Sequence, residues 1–312
     1  MSSLLVFPGQ GAQQPGMLQR LPQSPEALAC LQEAGEVLGE NVLALDTPQA
    51  LADTRAVQLC LLIAGVACAR TLLQGETLRA DCVAGLSIGA YPAAVVAGAL
   101  SFADALRLVS LRGELMQQAY PQGYGMTALI GLELAQVERL LAQVHSPQSP
   151  VYLANINADN QVVIAGSDAA MQAVAELARG CGVGVARRLA VSVPSHCPLL
   201  EQPAQALAAA FAQVPLQLPR LGYLSGSRAR PIRSLEALRD DLAFNMCRVV
   251  DWRGTVQSAY ERGVRLQIEL PPGAVLSGLA RRVFEQGSVI AFDGARLDTL
   301  QALLREEERR DR

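Results

Sequence analysis

The five residues Gly85-Leu86-Ser87-Ile88-Gly89 match the pattern G-x-S-x-G and follow the apolar run Cys82-Val83-Ala84. In that pattern a serine sits on a sharp, strained turn between a strand and a helix, and the flanking glycines let the chain fold back closely. The helix that follows points its first amides, with their partial positive charge, at an oxyanion forming beside the serine. The chemistry would be attack by the Ser87 hydroxyl on an acyl carbon. Such a short pattern recurs by chance in a chain with 26 glycines. It gains weight from the strand and helix signals around it.

A serine hydroxyl is a weak nucleophile near neutral pH and needs a general base within hydrogen-bonding reach. The chain holds 2 histidines. His145 falls in the polar loop Val144–Pro150 and reads as a surface residue. His196 lies in Ser192-Val193-Pro194-Ser195-His196-Cys197-Pro198, where prolines stiffen a turn. A stiff loop can hold a base in place, so His196 is the candidate. An acceptor must orient its imidazole. Asp240, Asp241, Asp251 and Glu269 are candidates by type, and spacing singles out none of them.

The elements that must position these groups can be read in outline. An apolar strand, Leu4–Phe7, runs into the turn-forming Pro8-Gly9-Gln10-Gly11. Helical patterns follow at about 25–39 and 49–74, then the strand ending at Ser87 and a helix over Phe102–Tyr120. Between 125 and 191 the rhythm changes to strands at Thr127–Leu132, Val151–Asn155, Gln161–Ala165 and Val183–Val191, with helices at Ala135–Val144 and Ala169–Cys181. That β-α-β-β-α-β order is the ferredoxin-like split unit. The expected fold is therefore α/β: a hydrolase-like core with a parallel sheet and nucleophile elbow, built from 1–124 and 192–312, with a ferredoxin-like small subdomain at 125–191. The charged tail Arg305–Arg312 is expected to fray.

Composition narrows the function. Hydrophobic residues make up 51% and charged residues 18%, enough for a sizeable core. The net charge of −3 argues against a nucleic-acid binder. There is no lysine, so any full positive charge that grips an anion comes from arginine or protonated histidine. The 7 cysteines are scattered, with no C-x-x-C pair, which suits reduced thiols and a cytoplasmic location. No secretory leader is visible, and the apolar run Leu59–Ala69 is too short to span a bilayer. A soluble protein with no membrane partner is expected.

Six motifs in order along the chain then resemble the malonyl-CoA:acyl-carrier-protein transacylase family. They are Phe7–Gln13, Gly85–Tyr91, Arg112-Gly113 with Met116-Gln117, Ala154–Asn157, Val193–Cys197, and Pro272-Gly273 with Val275–Leu279. Within that family, Gly85–Gly98 and Gln118–Met126 look most like the transacylase (epsilon) subunit of bacterial malonate decarboxylase. The elbow of fatty-acid-synthesis members usually reads G-H-S-x-G, whereas Leu86 stands here at its second position. That histidine is thought to help hold the malonyl carboxylate, so the departure bears on substrate recognition.

The resemblance implies a role for each matching residue. Ser87 would be the nucleophile and His196 the base, with the amides of Gln10 and Ile88 forming the oxyanion hole. Arg112 would grip the free malonyl carboxylate, although taken alone it is an ordinary helix-surface arginine. A backbone carbonyl at about Asn245 would orient the histidine, and Asn157 would line the cleft. The reaction implied is ping-pong transfer of malonyl from malonyl-CoA, through an acyl-serine, to the thiol of an acyl-carrier protein. No bound cofactor or metal is required, and other malonate decarboxylase subunits are possible partners. The alternatives are the transacylase of fatty-acid synthesis, a serine esterase or thioesterase in which water takes the acyl group, and a non-catalytic scaffold subunit.

Overall fold

The computed structural model describes residues 2–74, 78–181 and 184–310. The chain opens with Ser3–Phe7 (β1), buried at every position, as a strand covered on both faces must be. The helix Pro25–Leu38 (α1) starts on Ser24, whose side chain accepts from the Ala27 amide, and stops at Gly39 in the left-handed conformation. Thr54–Leu72 (α2) is long and apolar enough to cross a bilayer by length and composition. However, 89% of its apolar window is buried inside the protein, where it serves as a central helix. Cys82–Gly85 (β2) leads through the elbow into Ala90–Val96 (α3), and Phe102–Ala119 (α4) follows, capped by Ser101.

The next segment contains Tyr124–Ile130 (β3), Leu134–Val144 (α5), Val151–Ala158 (β4), Gln161–Ser167 (β5), Asp168–Gly180 (α6) and Val185–Arg188 (β6). Of the strand expected over Val183–Val191, Val183 lies outside the described residues. The chain then runs through Glu201–Phe211 (α7), Gly222–Ser225 (β7), Arg230–Pro231 (β8), Leu235–Phe244 (α8), Val250–Asp251 (β9) and Trp252–Glu261 (α9). Leu266–Glu269 (β10), Val275–Ala280 (α10), Ser288–Ala291 (β11) and Leu297–Arg310 (α11) complete it. The expected frayed tail is a helix as far as Arg310, because Leu300 and Leu304 are buried against the core. Residues 311 and 312 lie outside the described set.

The larger sheet has the order β11-β10-β1-β2-β7-β8. Its first five strands are parallel, and β8 is added antiparallel at the edge. The sheet is thus mixed rather than wholly parallel, and Pro231, which lacks an N–H, is tolerated on that edge. Residues alternate across it. Leu5, Phe7 and Val83 face the cluster that includes α2 and α4, while Leu4, Val6 and Ala84 face α9 and α10.

The smaller sheet has the order β6-β3-β5-β4-β9. Strands β6, β3, β5 and β4 are antiparallel, with α5 and α6 packed over a separate apolar cluster. The element order matches the β-α-β-β-α-β reading. The fifth strand, β9, comes from residues 250–251 and pairs parallel with β4, so the small sheet is tied to chain from outside 125–191.

Candidate active site

Strands β1 and β2 are parallel neighbours with Phe7 opposite Gly85, so the loops that follow them emerge side by side. Chain ends at adjacent parallel strands are where open α/β sheets place their ligands. The elbow is as tight as its sequence implies. A Cβ on Gly85 would sit 1.9 Å from the Gly89 carbonyl carbon, and one on Gly89 would sit 2.2 Å from the Phe7 oxygen. Ser87 is held at φ 57°, a strained conformation for a residue with a side chain.

Behind the elbow lies His196, itself at φ 64° and buried, with its amide donating to the Met246 carbonyl at 2.7 Å. Its Nδ1 lies 2.7 Å from the Asn245 carbonyl oxygen and 3.3 Å from that of Arg248. Carbonyls only accept, so Nδ1 carries the proton and donates. That leaves Nε2 with a free lone pair, 2.8 Å from the Ser87 hydroxyl, which donates to it. Burial, followed by the nearby Arg112 charge, pushes the His196 pKa down to about 4. The imidazole is therefore neutral near pH 7 and able to accept the serine proton.

None of the four carboxylates considered touches His196. Asp240 pairs with Arg228 and Arg248, and Asp241 accepts from Tyr223, Ser225 and Ser227. Asp251 caps α9, and Glu269 accepts from the amides of Leu276 and Ser277. The carbonyl of Asn245 does the orienting. His145, the other histidine, is exposed at the end of α5.

Arg112 is fully buried on α4, not a surface arginine. Its Nη1 donates to Gln58 Oε1 at 2.7 Å. Its Nη2 donates to Asn245 Oδ1 at 3.1 Å and reaches Ser87 Oγ at 3.4 Å. The ring of Tyr91 lies 5.9 Å away, and Arg112 Nε has no hydrogen-bond partner among the described residues. No carboxylate pairs with this guanidinium among the described residues, and burial lowers its pKa. A buried cation surrounded by neutral acceptors is costly unless an anion joins it.

Gln58 escaped sequence reasoning. It is buried on α2 and donates from Nε2 to Gln10 Oε1 at 3.0 Å while accepting from Arg112. The available signal was a polar residue at the head of the apolar run Leu59–Ala69. The side chain of Asn245 was also missed, since only its backbone had been singled out. Gln10 lies in the loop after β1, and its amide has no acceptor among the described residues. Ile88 follows Ser87 in the first turn after the strand.

A cleft runs from this cluster across the smaller sheet. Ser87, Gln10, His196, Leu86, Asn157 and Asn155 line it, with an apolar floor from Met126, Ala128, Ile130 and Val163. The buried Oδ1 atoms of Asn155 and Asn157 have no donor among the described residues. Asn155 is a lining residue that the sequence did not single out by itself.

A serine at a strained elbow, a neutral imidazole oriented by carbonyls and a buried guanidinium are groups suited to acyl chemistry. Comparison with known proteins gives the class. The family model described as "Acyl transferase domain" matches residues 4–308, and the chain belongs to that family. It is an acyltransferase. The malonyl CoA-acyl carrier protein transacylase of Escherichia coli (strain K12) is 37% identical over 288 residues, covering 90% of this chain and 92% of that protein. The crystal structure of FabD from Acinetobacter baumannii matches with a TM-score of 0.90 at 37% identity, covering 98% of this chain and 99% of that one. A malonyl-transacylase solved in complex with a type II polyketide acyl-carrier protein matches with a TM-score of 0.89 at 34% identity, covering 98% and 100%.

Proposed function

We propose that this chain transfers malonyl from malonyl-CoA to the thiol of an acyl-carrier protein, as the transacylases it is similar to are named for doing. The observation that carries the malonyl assignment is the buried, carboxylate-free guanidinium of Arg112 beside the Ser87 hydroxyl. Malonyl ends in a carboxylate that a planar guanidinium binds with two parallel hydrogen bonds, whereas acetyl offers nothing there.

In this reading His196 Nε2 takes the Ser87 proton as Oγ attacks the thioester carbon. The amides of Gln10 and Ile88 receive the oxyanion. The thiolate of coenzyme A leaves with that proton, and the malonyl group rests on Ser87. The carrier thiol then attacks the acyl carbon, giving its proton to His196, which passes it to the departing Ser87 oxygen and so restores free serine and neutral imidazole. Asn245 holds both partners, with its carbonyl on His196 and its side chain on Arg112.

The fatty-acid-synthesis transacylase, set beside the malonate decarboxylase subunit as an alternative, fits the named relatives better. The decarboxylase reading keeps one observation in its favour, Leu86 at the usual histidine position. The cytoplasm fits both, since all 7 cysteines are free thiols.

The test is intact-protein mass spectrometry after brief mixing with malonyl-CoA or acetyl-CoA, for the natural chain and Ser87→Ala. A malonyl adduct on the natural chain alone, weak with acetyl-CoA, is expected. Coenzyme A release without an adduct would favour an esterase, and neither signal would overturn the proposal. Offering the adduct a phosphopantetheine carrier and a phosphoribosyl-dephospho-coenzyme A carrier separates the two transacylase readings.

A further inference from the structure

The cleft contains one charged side chain that the chemistry at Ser87 does not use. Arg187 on β6 pairs with Ala128 of β3, which pairs with Val163 of β5, which lies opposite Asn155 of β4. Directly paired residues share a face of a sheet, and all four line the cleft. The row thus runs from a buried asparagine, over two apolar side chains, to an exposed arginine at the sheet edge.

The two adjacent arginines are employed differently. Arg188 faces the other way and donates to the carbonyls of Tyr124 and Met126 and to the Asp168 carboxylate. Arg187 makes no side-chain hydrogen bond or ion pair among the described residues. Among the described residues no aspartate or glutamate lines the cleft, so an anion approaching Arg187 meets no like charge from them.

We infer that Arg187 binds the phosphate ester at the far end of the pantetheine arm, in both the coenzyme A donor and the carrier acceptor. This rests on reading the site as one that takes a coenzyme A thioester and a carrier arm. Both ligands present the same sequence of groups: a thioester or thiol, an alkyl-amide chain, then a phosphate. The cleft presents the matching sequence: Ser87, an apolar floor flanked by the unpaired acceptors of Asn155 and Asn157, then a free guanidinium. A guanidinium holds a phosphate through two parallel, charge-assisted hydrogen bonds. One subsite then serves both halves of the ping-pong cycle, which explains how one cleft admits a small thioester and a carrier-borne arm in turn.

The test compares malonyl-CoA with malonyl-N-acetylcysteamine, which carries the thioester and an amide but no phosphate. Ser87 acylation is measured for the natural chain, Arg187→Gln and the exposed control Arg139→Gln, followed by transfer to a holo-carrier. For Arg187→Gln we expect KM for malonyl-CoA and for the carrier to rise about tenfold, the worth of a charge-assisted hydrogen bond. The constants for malonyl-N-acetylcysteamine, and all those of the control, should stay unchanged. Equal losses with both thioesters would overturn the inference, and so would no loss with either. A loss confined to the carrier would also overturn it, by placing Arg187 against the carrier's protein surface. If malonyl-CoA fails to acylate even the natural chain, the underlying reading of the site is what fails, and the natural-chain control reports that separately.

Discussion

At the scale of the residue, the site is a small network in which one cation waits among neutral groups. Arg112 donates to Gln58, Asn245 and Ser87, all of them uncharged acceptors. Replacing it with methionine keeps most of the buried volume and removes the charge. Arg112→Met should lower the preference for malonyl-CoA over acetyl-CoA by about 10- to 100-fold, the range set by a charged hydrogen bond of about 1.5–3 kcal/mol. Gln58→Leu should shift the same ratio in the same direction but less, because Arg112 keeps its other partners. Rates of Ser87 acylation with the two thioesters decide this, and an unchanged ratio in Arg112→Met would remove Arg112 from carboxylate recognition.

The pKa of His196 fixes a second expectation. Its folded value of about 4 lies below the ordinary 6.5, so between those values the unfolded chain binds the proton that the folded chain refuses. This contribution to stability is complete above about pH 6.5 and is lost as the pH falls toward 4. By pH 5 it should have cost about 2 kcal/mol. Glu269 and Asp241 have raised values and act with the opposite sign, so the comparison must be differential. Urea midpoints at about pH 7 and about pH 5 should fall further for the natural chain than for His196→Gln. Equal falls would contradict the buried neutral imidazole. Acylation should likewise hold as the pH drops through 6 and fade near 4.

At the scale of the element, the elbow depends on backbone contacts that no side chain could survive. Gly85→Ala would push a methyl into the Gly89 carbonyl carbon, and Gly89→Ala would push one into the Phe7 oxygen. Both obstacles are backbone, so neither can turn aside. Each variant should lose more than about 3 kcal/mol and much of its soluble yield. A Gly85→Ala protein with an unchanged melting temperature would mean the turn is looser than described. The elbow was legible in the sequence because its constraint is local, with glycine, serine and glycine at fixed spacing after an apolar strand. Gln58 and the Asn245 side chain were not legible, because their roles depend on helices α2, α4 and α8 meeting. No spacing along the chain encodes that meeting.

At the scale of the whole molecule, the two sheets are joined rather than merely neighbouring. Strand β9 pairs with β4 of the small sheet, and Trp252, the next residue, is buried in the cluster beneath β1 and β2. Unfolding the small sheet therefore exposes the edge of β9 and disturbs the packing around the single tryptophan. Trp252 fluorescence and far-ultraviolet circular dichroism should follow one coincident transition in urea. Two separated transitions would show that the small sheet unfolds by itself.

Some of this was settled by the chain's own order of residues. Ser87 on its elbow, His196 in its proline-stiffened loop and the β-α-β-β-α-β run were all readable, because each rests on neighbours a few residues apart. The tertiary structure decided the rest. It chose a carbonyl of Asn245 over four eligible carboxylates to orient His196 and tied the small sheet to β9. Among the described residues, it buried Arg112 without a counter-charge and left Arg187 without a partner in the cleft. Those outcomes depend on which distant segments come into contact, and on how much water that contact removes from each charge.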